Sequence, residues 1–175
     1  MAIVTPQWHR VYRGVSVEWV SMADKLTHLD DQGHVRMVDV GAKPTVRRTA
    51  IAHGDFVAAR TTIDRIFSGD LPKGEALATA RIAAIAAAKR TDEWIPLCHT
   101  LGLDHLGIQF DRVADDRVRV IGQASVTART GVEMEALVAV TAACLTLYDM
   151  TKAIDRGLRI ENIQLVGTRG WDAGS

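Results

Sequence analysis

Apolar side chains fill the middle of residues 131–155, and ionisable ones mark both ends. The run GVEMEALVAVTAACLTLYDMTKA opens on Glu133 and Glu135 and closes on Asp149 and Lys152. Its apolar positions predict a helix stopped at Gly157. A second helix is predicted over the Ala-rich stretch 71–91, after the Pro and Gly of LPKGEALATARIAAIAAAKRT. A short one is predicted over 62–70, ended at Gly69. Strands are predicted at 34–41, at 49–61 with an interruption near Gly54, and at 103–113 and 117–129 around the turn Ala114–Asp116. The last strand falls at 158–167. Pro96 leaves 92–102 irregular.

Without the N-terminal part, the order is β-α-β-β-α-β plus one short helix. That order predicts an α+β, ferredoxin-like sandwich, an antiparallel sheet with two long helices on one face. Alanines on both helices permit close packing. From Glu133 to Asp149 the long helix runs about 24 Å at ~1.5 Å per residue. One small-molecule pocket cannot use both ends of one copy. Either two subunits each lend an end, or one end is structural.

A chain of 175 residues fits one domain. We divide it into an N-terminal extension, 1–24, and a single domain, 25–175. The extension holds Trp8, Tyr12 and Trp19 but no apolar core run, so it does not read as a signal peptide. Formal charge is zero, 21 basic against 21 acidic residues, which speaks against a nucleic-acid surface. No stretch is expected to reach the ~18 apolar residues of a membrane span. Cys98 and Cys144 fit no metal or redox spacing, so reduced thiols in a cytoplasmic protein are expected.

Five groups could carry chemistry. Lys73, with Gly74, stands at a helix entry, where a cation and outward N–H groups suit an anion. The bland alternative is a solvated lysine. His99, in IPLCHTL, lies on an irregular segment where an imidazole can move protons near neutral pH. Its alternative is a histidine bonded to nearby backbone. Thr130-Gly131-Val132-Glu133 matches a capping box, which would claim Glu133 but not Glu135 as well. Asp149 and Lys152 share a helix face, as an ordinary ion pair or as a charge-held lysine beside a polyanion. Arg47 and Arg48 can grip phosphates, and Asp39, Lys43 and Arg81 complete the set. His28, His34, His53 and His105 have only bland readings.

Together, MVDVGAK, LPKGEALATARIAAIAAAKRT, IPLCHTL, TGVEMEAL and LTLYDMTKA closely resemble the signature blocks of the cyclic pyranopterin monophosphate synthase (MoaC) family of molybdenum cofactor biosynthesis. The resemblance runs from about Leu26 to Val166. It implies a lyase converting 3′,8-cyclo-7,8-dihydro-GTP to cyclic pyranopterin monophosphate with release of pyrophosphate. It also implies a hexamer built as a trimer of dimers, with sites between subunits. No resident cofactor is expected, and Mg2+ is compatible with the triphosphate. The resemblance assigns catalysis to Asp149, Lys152, Lys73, His99 and Glu133. It assigns substrate binding to Leu97, Cys98, His99, Met134, Glu135 and Arg48. If Lys73 and Asp149 enter one site from different subunits, inactive Lys73→Ala and Asp149→Ala variants should complement when mixed.

One departure stands out. Thr168 occupies the place of a C-terminal lysine usual in the family, Arg169 follows, and Trp171 replaces a glycine. The alternative function is therefore a weakly active or inactive paralogue that binds a nucleotide or pterin. A non-enzymatic nucleotide- or RNA-binding module is a further rival, disfavoured by neutral charge and by the lack of base-stacking aromatic pairs on the strands.

Overall fold

The computed structural model describes residues 32–169; the 1–24 extension and Trp171 lie outside them. The elements are β1 (Val46–Val57), α1 (Arg60–Ser68), α2 (Ala76–Ala88), α3 (Thr91–Trp94), β2 (His105–Ala114), β3 (Arg117–Ala128), α4 (Glu133–Thr151) and β4 (Arg159–Arg169). The four strands form one antiparallel sheet in the order β2-β3-β1-β4. With α2 and α4 packed on it, this is the expected ferredoxin-like arrangement.

Alternation along the central strands sets the core. Ala50, Ala52 and Phe56 of β1 and Val118, Val120, Ala124 and Val126 of β3 pack in one cluster with the helices. On the helices, Ala76, Ala80, Ala84 and Ala88 recur every fourth residue, with Ala136, Ala139 and Ala143 of α4 in the same cluster. Small side chains at these positions let helix backbones approach closely. The sheet admits α4 by the same means. A Cβ added at Gly54 would lie 2.9 Å from Val140, and one at Gly122 3.0 Å from it. Strand β1 runs through Gly54 and keeps its pairing with β3 there, while the expected interruption shows only as a register shift against β4 between His53 and Asp55. The glycine makes room for the helix.

Three expectations fail. Residues 34–41 form no strand, only an isolated bridge at Val35. A local turn takes over their end, where Gly41 N–H donates to Asp39 Oδ1 at 2.8 Å and Lys43 N–H to Val40 O at 3.0 Å. The capping box does not form. Helix α4 begins at Glu133 itself, with Val132 at the cap and no side-chain cap bond. Finally, α4 is long and apolar enough to cross a membrane by length and composition, against expectation. Most of it is buried against the sheet and α2, as a core helix should be.

The opposite face of the sheet holds a charge network that the sequence reading missed. Asp55 is 1 % exposed. Arg119 reaches it through Nε (2.8 Å) and Nη2 (3.0 Å), Arg117 through Nη1 (3.1 Å), and Asn162 through Nδ2 (3.0 Å). Asn162 manages this from a left-handed backbone (φ 54°) at an irregularity in the β1–β4 pairing. Asparagine tolerates that conformation better than most residues. Burial pushes the Asp55 carboxyl up, but the bonds from Arg119, Asn162 and Arg117 outweigh it and leave it at about 2. The network's contribution is thus complete above the ordinary value of 3.8 and is lost as pH falls from there toward 2. Asp55→Ala is expected to cost about 3 kcal/mol in urea unfolding at pH 7, the low end for a broken buried pair. Both guanidiniums retain some solvent, which limits the loss. An unchanged midpoint would show that the network is only decorative.

Candidate functional site

The candidate residues gather at the two ends of α4. At its C-terminal end, Lys73 Nζ donates to the Asp149 main-chain carbonyl (2.8 Å) and to Asp149 Oδ2 (2.9 Å). Lys152 Nζ pairs with Asp149 Oδ1 at 2.6 Å. Lys73 comes from the turn before α2, where Gly74 holds φ 89°. Because α2 runs antiparallel to α4, the start of one meets the end of the other. A cation at a helix C-terminus is favoured by the exposed carbonyls. The hydrogen bonds from Lys152 and Lys73 hold the Asp149 carboxyl at about 2, and Asp149 in turn raises the Lys152 ammonium. All three groups are solvent-accessible. Near neutral pH this end is one carboxylate between two ammoniums, a net cation open to a polyanion.

This geometry corrects one expectation and decides one condition. Lys73 does not serve the N-terminus of its own helix; it reaches across to the end of α4. The condition for complementation, that Lys73 and Asp149 enter one site from different subunits, is also not met, because one chain joins them directly. Their variants should therefore not complement each other.

At the N-terminal end of α4 the chemistry differs. Glu135 is 3 % exposed. Burial, first, and the charges of Glu133 and Asp92 raise its carboxyl to about 7, against the pull of its own backbone N–H. The residue therefore exchanges a proton near neutrality, as an acid–base group requires. Glu133 folds back over Gly131, where any side chain would collide with its carboxylate. Met134, between them in sequence, is half-buried.

Beside this helix end lies the segment after α3. Ile95 packs on Val138, Ala142 and Ala87, which seats the loop against α4. Leu97 is exposed, and Cys98 and His99 are half-buried. Burial and then the Glu135 and Asp92 charges push the Cys98 thiol up, so it is no ready nucleophile. His99 Nε2 lies 3.0 Å from Val38 O. A carbonyl can only accept, so Nε2 carries the proton and Nδ1 is left as the basic nitrogen. The bond also ties the IPLCHTL block to the MVDVGAK block.

The sheet brings two more candidates to this end. Arg48 pairs with Val126 and has the parity of Ala50, so it belongs to the helix-facing side. Thr168 pairs with Ala50 and shares that side. Arg47 alternates to the opposite face. Arg81 is drawn elsewhere, over the Phe110 ring at 5.3 Å. Asp39 is occupied in its own turn. Among the described residues, no group of three or more His, Cys, Asp or Glu side chains is placed to hold a metal ion.

The MoaC family profile matches residues 37–170. The chain belongs to the MoaC family. A cyclic pyranopterin monophosphate synthase of Novosphingobium aromaticivorans is 53 % identical over 150 residues, 86 % of this chain and 95 % of that protein. One from a Roseiflexus species is 50 % identical over 151 residues, covering 85 % and 95 %. Cyclic pyranopterin monophosphate synthase 3 of Mycobacterium bovis is 49 % identical over 149 residues, covering 85 % and 84 %. The match thus spans both ends of α4 and every candidate residue, from Asp39 to Thr168.

Proposed function

We propose that the chain is a lyase of molybdenum cofactor biosynthesis. It converts 3′,8-cyclo-7,8-dihydro-GTP to cyclic pyranopterin monophosphate and releases pyrophosphate. Similarity to synthases at about half identity over most of the chain supports the reaction. One observation carries the site: α4 holds a cradle of two lysines around Asp149 at one end and an acid–base cluster, with Arg48 beside it, at the other.

In this reading Lys73 and Lys152, ordered by Asp149, take the triphosphate and stabilise the departing pyrophosphate. Near neutrality Asp149 is anionic and serves to keep two ammoniums in place. His99, Glu133 and Glu135 move protons during ring opening and rebuilding, while Leu97, Cys98, Met134 and Arg48 seat the substrate. The two ends meet across a subunit interface, in a hexamer assembled as a trimer of dimers. Exposed Ile82 on α2 and Leu145 and Tyr148 on α4 supply apolar surface for such contacts. The enzyme works in the cytoplasm without a resident cofactor, and any Mg2+ arrives with the triphosphate as part of the substrate.

Pyrophosphate release from the cyclised nucleotide tests the reaction. Stoichiometric release in a single turnover is expected; tight binding with no release would favour the ligand-binding alternative, which Thr168 alone supports. Thr168 stands beside Arg48 on the same sheet face, so Thr168→Lys would add a titratable amine there. Turnover is expected to rise about tenfold. No gain would mean that the site does not use a lysine at this position.

A further inference from the structure

The segment 95–101 carries three candidate substrate-binding residues with almost no regular structure to hold them. Within the segment, Cys98 N–H donates to Ile95 O at 2.9 Å. His99 ties it to Val38. At its start Ile95 N–H donates to Thr91 O at 2.9 Å, and the shortest tie is a side-chain one: Thr100 Oγ1 donates to Asp92 Oδ2 at 2.5 Å. Asp92 is well placed to anchor a loop. Its neighbour Thr91 is buried and donates through Oγ1 to Ala88 O at 3.0 Å, fixing α3 to the end of α2. The Asp92–Thr100 bond thus closes the loop from entry to exit, and the closed span contains Leu97, Cys98 and His99. The Asp92 charge is also felt at Glu135 and Cys98, which places its carboxylate beside the same end of α4.

We infer that Asp92 and Thr100 form a latch that positions Leu97–His99 for the substrate, acting through the loop and not by touching the substrate. The inference rests on the function proposed above only for its kinetic consequences. A hydroxyl donating to an ionised carboxylate makes a short, directional bond. Ordering the loop beforehand removes freedom that substrate binding would otherwise have to remove. Losing the latch should therefore weaken binding more than it slows the chemical steps.

Two readouts test this. The first is steady-state kinetics with the cyclised nucleotide. Thr100→Val is expected to raise KM about fivefold to tenfold with kcat within about twofold, and Thr100→Ser to restore KM. Adding Thr100→Val to Asp92→Ala should change nothing further, because the two residues act as one. The second readout needs no activity: modification of Cys98 by a disulfide reagent. Cys144, 0 % exposed, is silent in the folded protein. Thr100→Val should speed Cys98 labelling about fivefold, and Thr100→Ser should return it to the parent rate. Unchanged KM and labelling in both disrupting variants would overturn the latch, as would a fall in kcat alone. A parent protein that releases no pyrophosphate, but whose Cys98 labelling still follows this pattern, would refute the proposed reaction and leave the latch standing.

Discussion

Glu135→Gln is expected to stabilise the protein at pH 7.5 while nearly abolishing turnover. The sign follows from where the proton sits. The Glu135 carboxyl titrates at about 7 in the folded chain, against an ordinary 4.5. Between those values the unfolded chain ionises while the folded chain keeps its proton, so stability is lost as pH rises through the window. Each unit is worth about 1.4 kcal/mol, or about 3 kcal/mol across the window. Glutamine mimics the neutral acid and does not ionise. The stability difference between variant and parent should be near zero below pH 4.5 and about 3 kcal/mol above pH 7. The charged or titratable neighbours that bear on this are Glu133 on the same helix turn, Asp92 on α3 and Cys98 on the loop. Urea midpoints at fixed protein concentration, from pH 4.5 to 7.5, would show the gap opening. Parallel curves would mean that Glu135 titrates normally and is no acid–base group. Loss of its proton transfer should lower kcat by about 10² with little change in KM.

Mixing experiments should show the second large effect, sorted by which end of α4 each variant damages. Lys73→Ala with His99→Ala should recover activity after subunit exchange, and so should Lys73→Ala with Glu135→Gln. Lys73→Ala with Asp149→Ala should not. In the proposed assembly a two-fold interface would hold two composite sites; in a mixed pair one would receive both intact ends and the other neither. Random exchange makes half the interfaces mixed, so about a quarter of parental activity should return from two inactive proteins. Recovery by the Lys73 and Asp149 pair would refute this division of the site. So would failure of the Lys73 and His99 pair once exchange is confirmed by mass spectrometry.

Local pattern served well wherever the deciding force was local. The turn at Ala114–Asp116, the stop at Gly69 and the long apolar helix need only neighbouring residues, and the strand–helix order then leads to the sheet. Errors arose where distant packing decided. Gly54 is only half a strand breaker: β4 shifts register beside it while β3 pairs straight through, and α4 is laid against it. Thr130 to Glu133 spells a capping box, yet the chain enters α4 later and Glu133 turns back over Gly131. Residues 34–41 alternate like a strand but form no ladder. Among the site residues, the Asp149–Lys152 pair was legible because three residues along a helix fix the geometry. The bond from Lys73 to Asp149 spans 76 positions, and no spacing rule reaches that far. The same holds for Asp55 and its two arginines, although the alternating Arg117 and Arg119 in one strand could have flagged a charged face in need of a partner. Asp92 was hidden for another reason: a four-residue helix leaves almost no periodic trace.

The salt link between Lys73 and Asp149 also sets a threshold for what can dock there. Its carboxylate already offsets part of the charge on the ammoniums that it holds in place. A singly phosphorylated metabolite offers little that this resident does not. In the proposed reaction three linked phosphates would engage both ammoniums around that carboxylate where one phosphate would not, which would favour the more highly charged anion without a dedicated gate.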